Sequence, residues 1–313
     1  MPDPGLVLGW CAELALLSLA LVGLCRLAWD RLVLFLTLGS FVVRMAIGQA
    51  LYVISALRLP LLRDLQLPGG FWRFGYDALI SDLQAKAIFE LASGSRIGAI
   101  QGAINQTSRT LEAGLHVDPG SLNLLPFSRV VTFLYAVFGA NPPQGLLFVA
   151  AAAAGCTPLA FLAARSMGLS RRSSLLGAAV VALWPSSFIW SGQMLKDPFQ
   201  WLGIFAAAAG ATALLRAATR PGLTPLLVPA LLIVAGEAII SLLRDYATSV
   251  WVIAVVLGLT AFIATKAGGT WRKTAAASAV LLAAVAAGNL PGGTTQLLAH
   301  KTWTAGGMLE DEL

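Results

Sequence analysis

The chain has 313 residues, 58% of them hydrophobic and only 12% charged, with a mean hydropathy of +0.79 and a formal net charge of +6. So apolar a composition cannot be hidden inside one soluble core, which excludes a soluble globular domain and points to an integral membrane protein. The basic excess sits in short loops between apolar runs, where it acts as an orientation signal and excludes a nucleic-acid footprint.

About twenty mainly apolar residues cross a bilayer as one helix, and eight such runs follow one another along the chain. They are Leu6 to Cys25, Leu32 to Leu57, Gly145 to Ala164, Ser174 to Gly192, Pro198 to Leu215, Leu223 to Leu243, Ala247 to Thr265, and Thr274 to Leu290. The expected fold is all-α, a polytopic transmembrane helical bundle of about eight spans. MPDPG lacks the positive flank of a secretory signal peptide, so the first span is expected to be retained. Alternate loops carry Arg26 and Arg31, then Arg165, Arg171 and Arg172, then Arg216 and Arg220, then Lys266, Arg272 and Lys273. Basic residues in short loops stay cytoplasmic, which puts both chain ends and the long segment 58–144 outside. Cys11, Cys25 and Cys156 fall in expected spans without CxxC spacing, and His116 and His300 are isolated, so no metal-ligating or disulfide pattern emerges. The alanine runs at Ala150 to Ala154, Ala206 to Ala209 and Ala275 to Ala277 suit close helix packing in lipid.

The outer segment begins LRLPLLRDLQLPGGFWRFGYD, whose prolines, glycines and Phe71, Trp72, Phe74 and Tyr76 suit a chain lying at headgroup level. Next, Leu79, Ile80, Leu83, Ile88, Phe89 and Leu91 alternate with Asp82, Lys86 and Glu90 at four-residue spacing, which predicts an amphipathic surface helix with internal ion pairs. A second surface helix is expected over Leu124 to Phe138, stopped by GANPP. Asp77 stands at the start of the first. It is either an N-cap accepting a backbone N–H or a catalytic carboxylate, and the two roles are compatible.

The order of these features, Asp77 opening a surface helix, then FSRVVTFLYAVFGANPP, a basic turn at RSMGLSRRSS, WPSSFIWSGQMLKDP and later LLRDYA, resembles bacterial C-type (GT-C fold) glycosyltransferases. These use polyprenyl-phosphate-linked sugars, as the protein mannosyltransferases and the aminoarabinose transferase of lipid A do. The resemblance covers 31–290 as a transmembrane module, with 1–30 as an extra N-terminal span and 291–313 as an outer tail. It implies a catalytic base in the first outer loop, which falls on Asp77. Many members carry an Asp-Glu pair there, whereas this chain has Asp77-Ala78, which makes Asp82 the second candidate. It also implies a charged motif in the next outer turn, matched by Lys196-Asp197.

Sugar transfer with inversion needs a base, cations for the departing lipid phosphate and a greasy channel. Lys196 and Arg244, at outer span ends, are candidate phosphate partners; Asp197, Tyr246 and Lys86 complete the expected substrate contacts. Asp197 and Asp245 offer oxygen ligands of the kind magnesium or manganese accepts, a cofactor left open, beside the alternative that Asp197 and Pro198 simply start a helix. Arg244 and Tyr246 equally suit an interfacial anchor. Inside spans, Glu13, Arg44 and Glu237 must face the bundle; Glu237 either shares one helical face with Arg244, seven residues on, as a polar track from the outer mouth, or pairs with Arg44 to lock packing. The expected partners are a lipid-linked sugar donor, membrane lipids and a glycan, lipid or protein acceptor, at the outer face of a bacterial inner membrane. A transporter or flippase of lipid-linked saccharides and a non-catalytic membrane scaffold are the alternatives.

Overall fold

The computed structural model describes residues 4–92, 126–217 and 224–243. In chain order the helices are α1 (Pro4–Ala28), α2 (Arg31–Ala56), α3 (Tyr76–Ala92), α4 (Pro126–Phe138), α5 (Pro142–Ser166), α6 (Arg171–Leu183), α7 (Pro185–Ser191), α8 (Asp197–Ala217) and α9 (Thr224–Leu243). Each boundary has a local cause. α1 stops before Trp29, whose φ of 49° no α-helix accepts, and Asp30 then caps α2 by accepting the Leu32 N–H at 3.0 Å. Pro126 and Pro142 open α4 and α5, where a missing N–H costs nothing.

Among the described residues, α1, α2, α5, α8 and α9 are long and apolar enough to cross a membrane, and α6 with α7 makes a sixth candidate. The chain is thus an all-α, multi-pass membrane protein. The expected spans at Ala247 to Thr265 and Thr274 to Leu290 lie outside the described residues. The expected continuous span over Ser174 to Gly192 is instead broken at Trp184. Trp184 precedes a proline and adopts ψ 115°, the extended conformation such residues favour, so the helix cannot run through it.

The helices contribute to two compact units. The first comprises the described parts of Met1–Gly23, Leu38–Ala154 and Leu183–Pro198. Its core packs Leu14, Leu17 and Leu21 of α1 and Phe41 of α2 onto Ala150, Ala151 and Ala154 of α5. The two segments expected as surface helices are helical in it, and α3 packs against α4.

In this unit the segment between α2 and α3 corrects one expectation. Phe71 and Trp72 do not project toward headgroups: they are 3% and 0% exposed. Ser55 Oγ donates to the Phe71 carbonyl at 2.6 Å, and Trp72 Nε1 donates to the Leu51 carbonyl at 3.0 Å. These bonds fold the segment back onto the end of α2, while Phe74 and the leucines at 57, 59, 61, 62 and 65 stay exposed. Aromatic side chains with large apolar area go to the core when backbone acceptors are within reach of their polar atoms.

The second unit comprises Leu24–Thr37, Gly155–Ala182 and the described part of Phe199–Leu313. Leu159 and Ala163 of α5 meet Ala206 and Ala209 of α8, while Val33, Phe161 and Ala178 form a neighbouring cluster. α8 and α9 run antiparallel with their backbones close. A Cβ built on Gly203 would lie 2.9 Å from the Gly236 carbonyl, and one on Gly236 2.6 Å from the Ala207 nitrogen. Only glycine permits that approach.

Also in the second unit, Arg171 Nε and Nη2 donate to Asp30 at 2.6 and 3.0 Å. The Arg171 guanidinium holds the Asp30 carboxyl below its ordinary value and is itself raised by the carboxylate. A carboxyl depressed on folding contributes stability above its unfolded value, about 3.9, and loses it as pH falls through the lower folded value. Asp30→Asn is therefore expected to unfold at a lower temperature than wild type at pH 7, with the two converging as pH drops below about 4. Differential scanning fluorimetry across that range checks it; a gap that persists at low pH would contradict the assignment.

Candidate functional site

The site is built in the first unit where the start of α3 meets the strap that joins α7 to α8. A tight turn at Arg73–Gly75 leads into α3. Tyr76 already has helical angles (φ −53°, ψ −39°), so Asp77 stands inside the first turn and the expected N-cap geometry does not form. Its carboxylate is instead paired with Lys196, whose Nζ donates to Oδ2 at 3.5 Å across 119 residues of sequence. The Asp77 side chain is 59% exposed and that of Lys196 21%. The acid is therefore open to solvent while the lysine is mostly enclosed, and a contact this long and wet contributes little to stability.

The strap is placed by close packing. Gln193, Met194 and Leu195 are buried, and Gly75 lies so near Gln193 that a Cβ there would sit 2.8 Å from Cγ. Any larger residue at position 75 would push apart the two segments that carry Asp77 and Lys196. Asp197 opens α8 with Pro198 in its first turn, in keeping with the helix-start alternative.

Asp82 has a different environment. Five residues beyond Asp77, it faces the α3–α4 contact with its side chain 3% exposed. Lys86 donates to Oδ2 at 2.8 Å, one helical turn on, and the Tyr135 hydroxyl of α4 donates to Oδ1. Burial, reinforced by the Asp82 carboxylate, pushes the Tyr135 hydroxyl well above the usual tyrosine range, which keeps its proton for that bond. Tyr135 also lies 3.8 Å from Met194 Sδ, and Ser128 donates to Gln84 at 2.6 Å. Ser128 and Tyr135, seven residues apart on α4, thus knit α3 to α4 and the strap.

Sequence reasoning missed Tyr135, Gln193 and Met194. The available signal was the seven-residue spacing of Ser128 and Tyr135, two polar residues on the buried face of an amphipathic helix. Arg244 and Tyr246 lie outside the described residues. Among the described residues no three His, Cys, Asp or Glu side chains gather to hold a metal ion.

Of the intramembrane charges, Arg44 is bonded to the hydroxyls of Ser40, Ser187 and Ser191. Glu13 and Glu237 are fully buried, and their carboxylate oxygens lack hydrogen-bond partners among the described residues. Serines supply lone pairs without a second charge to desolvate, a cheaper partner for a buried guanidinium than a carboxylate. Comparison with protein-family models, with curated proteins and with solved structures finds no match.

Proposed function

We propose that the chain is a membrane glycosyltransferase that moves a sugar from a polyprenyl-phosphate carrier to an envelope acceptor at the outer face of a bacterial inner membrane. The observation that carries this reading is the approach of Asp77 and Lys196, a carboxylate and an ammonium from opposite halves of the described chain. The acceptor hydroxyl attacks the anomeric carbon of the sugar as the bond from that carbon to the phosphate oxygen breaks. Asp77 takes the hydroxyl proton. Lys196 pairs with the phosphate that leaves, its charge available once the donor intrudes on the loose Asp77 contact. The configuration at the anomeric carbon inverts.

The test is release of free polyprenyl phosphate by the purified protein in lipid nanodiscs, supplied with a panel of polyprenyl-phosphate sugars and candidate acceptors. Release above that of empty nanodiscs is expected for at least one donor. A second reading, transport of a lipid-linked saccharide, is favoured by the buried carboxyls of Glu13 and Glu237 within spans, which lack hydrogen-bond partners among the described residues. Movement of the donor between leaflets with no phosphate release would replace the first reading by the second.

A further inference from the structure

Arg44 lies within the spanning helix α2, is 1% exposed, and donates from Nε to Ser40 at 2.9 Å, from Nη1 to Ser191 at 3.0 Å and from Nη2 to Ser187 at 2.8 Å. Its guanidinium carbon stands 4.4 Å from the centre of the Phe188 ring, within cation–π range. Ser187 and Ser191 are free to accept because their own protons go elsewhere, to the Trp184 carbonyl at 2.7 Å and the Phe188 carbonyl at 3.3 Å. One side chain of α2 thus grips both turns of α7.

α7 needs such a grip. A helix of seven residues is far too short to hold its own conformation, and it is set off from α6 by the Trp184–Pro185 break. Beyond it, Gly192 lies against α2 near Gly48 and Leu51, and Gln193 lies against Gly75. The strap then delivers Lys196 to Asp77.

We propose that Arg44 is the positioning residue of the Asp77–Lys196 pair: by clamping Ser187 and Ser191 it fixes α7, and through α7 the strap that sets where Lys196 stands. The hydrogen bonds by which Arg44 acts go to Ser40, Ser187 and Ser191, not to the pair itself. The inference concerns geometry and holds whether or not the pair handles a lipid-linked sugar.

The test uses Asp77→Cys with Lys196→Cys in a full-length chain whose three native cysteines are replaced, reconstituted in nanodiscs and treated with a short bifunctional thiol reagent. Without Arg44 the strap should leave its seat, and the yield of the intramolecular cross-link should fall at least about tenfold in Arg44→Leu, since bonds from a charged donor are lost. Arg44→Lys, which keeps the charge but cannot reach three hydroxyls at once, should fall between the two. If Arg44→Leu does not fold, Ser187→Ala with Ser191→Ala removes the acceptors and leaves the arginine in place; the cross-link should fall there too. An unchanged yield in monodisperse Arg44→Leu, or in the double serine variant, overturns the proposal and leaves Arg44 a packing residue. Because no substrate is involved, absence of phosphate release in the transfer assay tells against the glycosyltransferase reading and not against this one.

Discussion

Gly236→Leu is expected to destabilise the second unit severely, lowering the unfolding temperature in detergent and cutting the yield of monodisperse protein. The reason is the kind of atom a side chain would meet. A Cβ at 236 would stand 2.6 Å from the Ala207 nitrogen and 2.5 Å from the Gly203 carbonyl oxygen, both backbone atoms that cannot rotate away. Relief requires α9 to move off α8, which uncovers Ala207 and loosens the contact around Gly210, where a Cβ would meet the Pro229 carbonyl at 2.6 Å. Overpacking a tight core by a few methylenes costs about 1–3 kcal/mol, and leucine adds more than that to a contact with no slack. Lipid tails are as apolar as the side chains, so helix association here depends on dispersion and fit, and a spoiled fit has no hydrophobic substitute. Gly177→Ala is the matched control. Gly177 has no atom within 4 Å of a built Cβ, so alanine should be neutral or stabilise by up to about 1 kcal/mol through helix propensity. Equal losses in both variants would contradict the crossing.

How much of this could be read in advance differs by level. Five of the eight expected spans, those at α1, α2, α5, α8 and α9, were legible because length and apolarity are properties of a window, and a run of twenty apolar residues has few other fates. The break at Trp184 was hidden by the same averaging: hydropathy over Ser174 to Gly192 passes straight through Pro185, whereas the backbone does not. Helix α3 was legible from its four-residue spacing, as was the Asp82–Lys86 pair, and α4 from its stop at GANPP. Phe71 and Trp72 were misread because amphipathic aromatics serve headgroup and core alike; the deciding partners, Ser55 and the Leu51 carbonyl, lie on the previous helix. The approach of Asp77 to Lys196 was foreshadowed only as a shared side of the membrane. For Arg44, no rule of spacing points to two serines some 140 residues away.

Asp77→Asn and Asp82→Asn should fail in opposite ways, which makes them the sharpest test of the site. Asp77 is exposed, and its carboxylate meets Lys196 at a loose 3.5 Å, so its amide replacement should leave the unfolding temperature nearly unchanged. On the proposed chemistry it removes the base, for a loss of about 10²- to 10⁴-fold in turnover. Asp82 holds Lys86 and Tyr135 from a buried position. Its replacement leaves those donors poorly matched, at about 1–3 kcal/mol for a buried group that loses its partner, and should show first as lost stability. Asp82→Asn must weaken the seat of Met194 as well, because Tyr135 touches both; any fall in turnover should then be partly recovered at lower temperature, where the folded fraction is restored. Full turnover in a folded Asp77→Asn protein would remove Asp77 from the chemistry. Loss of turnover in Asp82→Asn at unchanged stability would move the base five residues along α3, into a site that is closed to an acceptor until α4 shifts, and would require the donor to enter between those two helices.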